Sequence, residues 1–365
     1  MKGFFLKTKI YFIITGIIAS ILACAPATAQ TLFPALNEGP NVQTLVVYSS
    51  LDEDASKPLI AAFQEQNPSV AILYEDLQSL DIYERVIRET DNGEKTADLV
   101  LSSAMDLQVK LVNDGYAQTS FNADTDNWPS WAKWRNSAFG LTYEPSVLVY
   151  HKPSFKEISP PKNRSDLVAL LKNNDDEFYG KIATYDIERS GFGFLILARD
   201  QEHNRNIWDL VSAMGSTGVK LYSNSSSILE RVSDGRFVLG YNIVGSYAEN
   251  WVRQNPDLGI IMLEDYTIVM SRIALIPQAA ANAELGKTLL SFLMSKDGQA
   301  VMASDVKLPA LHPDVFGNNT ATTLRDRMGS QLRPISIGPG LIAYLDQVKR
   351  SRFISQWNTA LRGNQ

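Results

Sequence analysis

From Thr44 onward, short runs rich in apolar and β-branched residues alternate with stretches whose apolar positions recur at helical spacing. Residues 44–48 (TLVVY), 70–74 and 97–101 (ADLVL) have the near-continuous apolar character of strands buried on both faces of a parallel sheet. Between them the spacing predicts a helix over 54–66, ended by Asn67-Pro68, and a second over 82–90, stopped near Asn92-Gly93. A third runs from Ser102-Ser103 to Asp114-Gly115. A βαβαβ order of this kind implies a parallel sheet covered by helices.

The alternation breaks at 122–136, a polar segment carrying Trp128, Trp131 and Trp134, and a long extended run follows over 139–151. That break suggests a crossing between two lobes. A second series then repeats the plan: strands over 181–185, 219–222 and 237–241, with helices from about Gly191, Ser226 and Ser246. Residues 266–277 form another long apolar run able to carry the chain back, and helices over 281–294 and 297–303 would complete the first lobe. Apolar residues at Leu341, Tyr344, Leu345, Val348, Phe353, Trp357 and Leu361 predict a closing helix packed on a lobe. The expected fold class is α/β: two lobes, each a mostly parallel sheet flanked by helices, joined by a two-strand hinge. The expected boundaries are 42–140 plus 270–365 for the first lobe and 141–269 for the second.

Composition narrows the function. The 365 residues are 45% hydrophobic and carry a net charge of -6, with no basic block, so a surface that neutralises nucleic-acid phosphates is not expected. A single cysteine, Cys24, and three dispersed histidines, His151, His203 and His312, leave little for a metal site or thiol chemistry, and no cofactor is expected. Residues 1–29 combine Lys2, Lys7 and Lys9, an apolar stretch over 10–23, and Ala27-Thr28-Ala29 before Gln30. This is the plan of a secretory signal peptide and predicts export to the periplasm. Residues 21–24 (ILAC) also loosely match a lipobox, which would anchor the protein at Cys24, but Leu22 is bulky for its position and the Ala-Thr-Ala site fits better.

Catalytic motifs are missing. Gly286-Lys287-Thr288 lacks the earlier glycine of a phosphate loop and sits in a predicted helix, and Gly191-Phe192-Gly193 lacks the third glycine of a dinucleotide site. Asn122, Asp124 and Asp126 have calcium-loop spacing, but Asn127 replaces the turn glycine and Lys133 the bidentate acid, so a solvated loop is the better reading. The positive signal is a set of serines at strand-to-helix junctions: Ser49-Ser50, Ser102-Ser103, Ser190-Gly191 and Ser225-Ser226. Such junctions face the ligand crevice of an open α/β sheet, where helix N-termini offer backbone N–H groups and a positive dipole end to an anion. Any one of these serines reads first as an ordinary N-cap. Four junctions spread over both lobes shift the reading toward an anion site, with Arg189 beside Ser190 to supply charge and Tyr241-Asn242 expected to reach the same cleft.

Several segments carry a family resemblance: residues 47–50 (VYSS), 97–103 (ADLVLSS), 148–150 (LVY), 222–225 (YSNS), 234–237 (DGRF) and 295–299 (SKDGQ). With these the chain resembles the type II periplasmic solute-binding proteins of bacterial ABC importers, in their ferric and sugar-phosphate branch. Ser102-Ser103, Arg189-Ser190, the serines after Tyr222 and a tail with Gln356-Trp357 look most like the phosphoglycerate transport regulatory proteins, which work with a membrane sensor. The resemblance implies a monomer that closes its lobes on a small anionic solute, an organophosphate foremost, and hands it to an ABC transporter permease or presents it to a membrane sensor kinase. Ferric binders of the branch carry a His after the first strand and an adjacent Tyr pair after the strand equivalent to 237–241. Here Leu51-Asp52 and Tyr241-Asn242 stand instead, which puts the ferric alternative behind the oxyanion reading.

Overall fold

The computed structural model describes residues 30–173 and 175–362; the expected signal peptide and the lipobox cysteine fall outside them. The strands are β1 (Gln30–Phe33), β2 (Gln43–Ser49), β3 (Val70–Asp76), β4 (Leu99–Ser102), β5 (Lys133–Trp134), β6 (Ala138–Gly140) and β7 (Glu144–His151). They continue with β8 (Ile182–Tyr185), β9 (Lys220–Tyr222), β10 (Leu239–Val244), β11 (Leu258–Ile261), β12 (Thr267–Met270), β13 (Ile273–Leu275) and β14 (Leu332–Pro334). One sheet has the order β1-β3-β2-β4-β13-β6-β5 and the other β14-β12-β7-β10-β8-β9, with β11 also on β7. In the first, β2 pairs in parallel with both β3 and β4; in the second, β8 pairs in parallel with both β10 and β9. The two-lobed α/β architecture read from the sequence is the observed one.

Period-two alternation decides which face each strand residue serves. Leu45, Val47, Leu99 and Leu101 pack with Phe63, Leu290 and Phe292 on one face of the first sheet, while Tyr48 and Val100 pack with Ile82, Val86 and Val109 on the other. In the second sheet Leu148, Ile182 and Leu239 meet Phe194, Leu197 and Leu210, and Val147, Val149 and Ala183 meet Phe192 and Ile228. Both faces of each sheet are covered, which is why the parallel strands read as unbroken apolar runs.

The chain passes from first to second sheet through residues 141–143, between β6 and β7, and returns through Ser271 and Arg272, between β12 and β13. The two crossings lie side by side: Leu141 N–H donates to Arg272 O at 2.8 Å, and Arg272 N–H to Thr142 Oγ1 at 2.9 Å. The tryptophan-rich segment comes before the crossing and belongs to the first lobe. Trp128 is buried there and donates its indole N–H to Gly140 O at 2.7 Å, while Trp131 stacks edge-on against Tyr143.

The tail departs from the sequence expectation that residues 270–365 join the first lobe. Strand β14 pairs with β12 of the second sheet, and helix Gln347–Arg362 packs on helix Ile207–Ser216. Phe353 and Trp357 supply the reason, since they fill a hydrophobic gap against Phe194, Leu210 and Trp208. Gly215 permits the approach, because a Cβ there would lie 2.1 Å from Leu361 O. Between β14 and that helix the chain brushes the first lobe again, with Ile337 N–H on Trp131 O at 2.9 Å.

Candidate functional site

Strands β2, β3, β4, β8, β9 and β10 all end at one cavity between the lobes. Its walls are Ser50 and Asp52 after β2, Asp76 to Ser79 after β3, Ser103 after β4, Tyr185 and Ser190 to Phe192 after β8, Ser223 to Ser225 after β9, and Val244 and Tyr247 after β10, with Arg272 from the returning crossing. Six helices begin here: Glu53–Gln66, Ser79–Asp91, Met105–Asn113, Gly191–His203, Ser225–Ser233 and Gly245–Gln254. Those starting at Ser79, Met105 and Gly245 have no side-chain cap, so their first-turn N–H groups are left to other partners. Larger hollows exist around Arg164 and Tyr266 (about 420 Å³) and around Trp131 and Arg325 (about 500 Å³), each in one lobe, and a third of about 220 Å³ lies between the lobes beside Tyr83, Asp106 and Arg350, sharing Ser190 and Gly191 with this cavity. The cavity at the strand ends measures about 50 Å³, room for a few waters.

The lobes are held together across this cavity. Asp52 of the first lobe accepts from Tyr247 Oη at 3.0 Å and from Ser226 Oγ at 3.1 Å, both from the second. Tyr247 Oη also lies within 3.3 Å of Ser50 O. Burial pushes the Tyr247 phenol well above its ordinary pKa and keeps it a donor. Serines link the first-lobe junctions to one another, with Ser103 Oγ 3.3 Å from Ser50 Oγ and 3.2 Å from Ser79 Oγ. Arg272, 1% exposed, has its Nε 3.0 Å from Glu144 Oε1 and donates from Nη1 to Ser50 O at 3.1 Å. Glu144, fully buried, also accepts from Thr142 Oγ1 at 2.7 Å and from Ser246 Oγ, so one ion pair ties both crossings to the cavity floor.

Asp76 accepts Glu53 N–H at 3.2 Å, yet burial, and next the charge of Asp52, push its carboxyl up from 3.8 to about 6. A carboxyl raised in the folded state binds its proton more tightly there than in the unfolded chain, so stability is lost as pH rises from about 4 through about 6. Asp76→Asn, which keeps an acceptor for Glu53, is therefore expected to be more stable than the parent at pH 8 in urea titrations. The difference should shrink as pH falls and vanish well below about 3.8, where both states of the parent are protonated.

Of the residues expected from sequence, Ser50, Ser103, Ser190, Gly191 and Ser225 line the cavity, and Ser226 reaches across it to Asp52. Ser190 also caps its helix by accepting Gly193 N–H at 3.1 Å, and Ser225 Oγ is 2.5 Å from Tyr185 Oη. Ser49 and Ser102 are buried turn formers that accept from Leu51 N and Ala104 N and do not face the cavity. Arg189 points to solvent and lies outside the cavity, because the turn after β8 spends its inward positions on Tyr185 and Ser190. Tyr241 and Asn242 also fail to reach it. A bulge in β10 between Gly240 and Ile243, with Asn242 at φ 63°, turns them into the lobe. There Tyr241 Oη and Asn242 Nδ2 donate to the buried Asp200 carboxylate at 2.9 and 2.7 Å. Asp52, Asp76, Ser79, Tyr247 and Arg272 are among the lining residues the junction-serine pattern passed over. Arg272 left a signal, as the one cation inside the otherwise apolar run 266–277.

The family model described as bacterial extracellular solute-binding protein matches residues 58–322. The chain is 58% identical to the substrate-binding protein of an ABC transporter from Agrobacterium tumefaciens, over 92% of this chain and 99% of that one, with a TM-score of 0.90. Two more distant structures share the fold. Iron-bound HitA from Pseudomonas aeruginosa is 15% identical over 87% of this chain and 99% of that one, with a TM-score of 0.68. AfuA from Actinobacillus pleuropneumoniae, solved with fructose-6-phosphate, is 15% identical over 86% and 97%, with a TM-score of 0.68. No curated protein matches the chain.

Proposed function

Because the chain belongs to the bacterial extracellular solute-binding proteins, we propose that it captures a small oxyanionic solute, an organophosphate foremost, by closing its lobes, and delivers it to an ABC importer in the periplasm. The observation that carries this reading is the convergence of six strand ends and six helix N-termini, from both lobes, on one cavity rich in serine donors. A solute bridging the two sets of donors favours the closed state by its differential contacts. The description of the 58% identical protein favours the importer over the sensor kinase as partner. Iron-bound and sugar-phosphate-bound proteins share the fold, so the fold does not choose the ligand and the residues must. Among the described residues, no group of three or more His, Cys, Asp or Glu is placed to hold a metal ion, and the cavity is lined by no histidine of the kind the ferric binders carry.

A thermal-shift screen of protein unfolded and refolded to strip carried solute tests the proposal. A phosphorylated solute at about 100 times its Kd should add roughly 2.7 kcal/mol, a rise of about 4 °C for a chain of this length. Ser103→Ala and Ser190→Ala should each weaken that solute roughly 10-fold, the worth of one hydrogen bond to a charged group. A response to ferric ion alone, or to no oxyanion, overturns the reading.

A further inference from the structure

We infer that the solute carries a protonated amine as well as its oxyanion, and that the amine is seated on Asp52 and Asp76. This rests on the oxyanion reading above and follows from the charges lining the same cavity. Two carboxylates, Asp52 and Asp76, and one cation, Arg272, line it. The cation is already matched: Arg272 sits 3.0 Å from Glu144, and both are buried. A phosphate monoester alone would add its two negative charges to two uncompensated carboxylates in a site that closure removes from water, where such repulsion is strongest.

The polar groups on the wall are of two kinds, carboxylates and neutral donors. The carboxylates, Asp52 and Asp76, lie at the start of helix Glu53–Gln66, where Asp76 Oδ2 accepts Glu53 N–H and its second oxygen has no hydrogen-bond partner among the described residues. Ser79, Ser103 and Ser190 are the donors, at three more helix starts whose first-turn carboxyls, Asp81 and Asp106, do not line the cavity. Arg272 lies on the wall with an Nε–H that, although close to Glu144, is not directed at it and has no hydrogen-bond partner. Neutral donors and a pair of carboxylates lining one cavity complement a zwitterion, with its oxyanion on the serines and helix N-termini and its ammonium on the carboxylates. An ammonium there also relieves the repulsion that, with burial, makes Asp76 reluctant to ionise.

Calorimetry with two matched pairs tests this: O-phosphoethanolamine against ethyl phosphate, and β-alanine against propionate. In at least one pair the amine-bearing member should bind about 10-fold tighter or more, the worth of one charge-assisted hydrogen bond. In Asp76→Asn, whose fold is expected to be at least as stable as the parent, that gap should fall below about 3-fold. Equal binding within each pair overturns the amine and leaves the oxyanion reading standing. So does silence from all four probes when amine-free phosphate esters bind in the screen. Ethanolamine binding as tightly as O-phosphoethanolamine would overturn the oxyanion reading and keep the amine seat; silence from every phosphate, carboxylate and amine overturns both.

Discussion

Asp200→Ala is expected to lower the unfolding free energy by about 3–5 kcal/mol while changing solute affinity by less than about 3-fold. Asp200 is fully buried and accepts four side-chain hydrogen bonds: Arg164 Nη2 at 2.9 Å, Tyr266 Oη at 2.8 Å, Tyr241 Oη at 2.9 Å and Asn242 Nδ2 at 2.7 Å. Removing it leaves the Arg164 guanidinium, 4% exposed, with the more open Asp265 as its one carboxylate, and leaves three buried donors short of an acceptor. The buried donors left without an acceptor, and a guanidinium left with one partly exposed carboxylate, are what make the cost large. For a chain of this length unfolding as one unit, that loss corresponds to a fall of roughly 4–7 °C in Tm. The cluster fixes the inner end of helix Gly191–His203, about 14 Å from the N-terminus that lines the cavity. Calorimetric denaturation and solute titration of the same variant separate the two effects. A normal Tm would show that Arg164 finds another partner, and a lost affinity would show that the cluster sets the shape of the cavity wall.

The same cluster shows where the sequence was legible and where it was not. The six strands that end at the cavity were legible because burial on both faces demands continuous apolar runs, and residues 44–48, 70–74 and 181–185 need nothing beyond local reading. The serine junctions were legible for a similar reason, since a strand end and a helix start are neighbours in the chain. Tyr241 and Asn242 were misplaced because a single extra residue in β10 reverses which side they face, and nothing local announces a bulge except an asparagine tolerant of positive φ. The tail was misplaced because its partners, Phe194 and Trp208, lie more than 140 positions earlier. Arg272 and Glu144, 128 positions apart, form a pair that only the side-by-side crossings create.

That pair carries the second large effect. Arg272→Met is expected to lower stability by about 3–5 kcal/mol, because Glu144 is left buried with only the Thr142 and Ser246 hydroxyls for company. It should also weaken solute binding at least ~10-fold, because the guanidinium N–H groups on the cavity wall are lost. The two losses have different causes and should come apart in the double variant Arg272→Met with Glu144→Gln. Neutralising both members removes the stranded carboxylate, and replacing a buried ion pair by neutral groups of similar volume is often close to neutral, so most of the stability should return. Affinity should not return with it, since the wall still lacks its directed donors. Recovery of both together would mean that Arg272 serves the solute only by holding the crossings in register. Affinity still depressed at restored stability would identify a residue that binds the solute from between the two crossings, so that one side chain serves both the solute and the joint between the lobes.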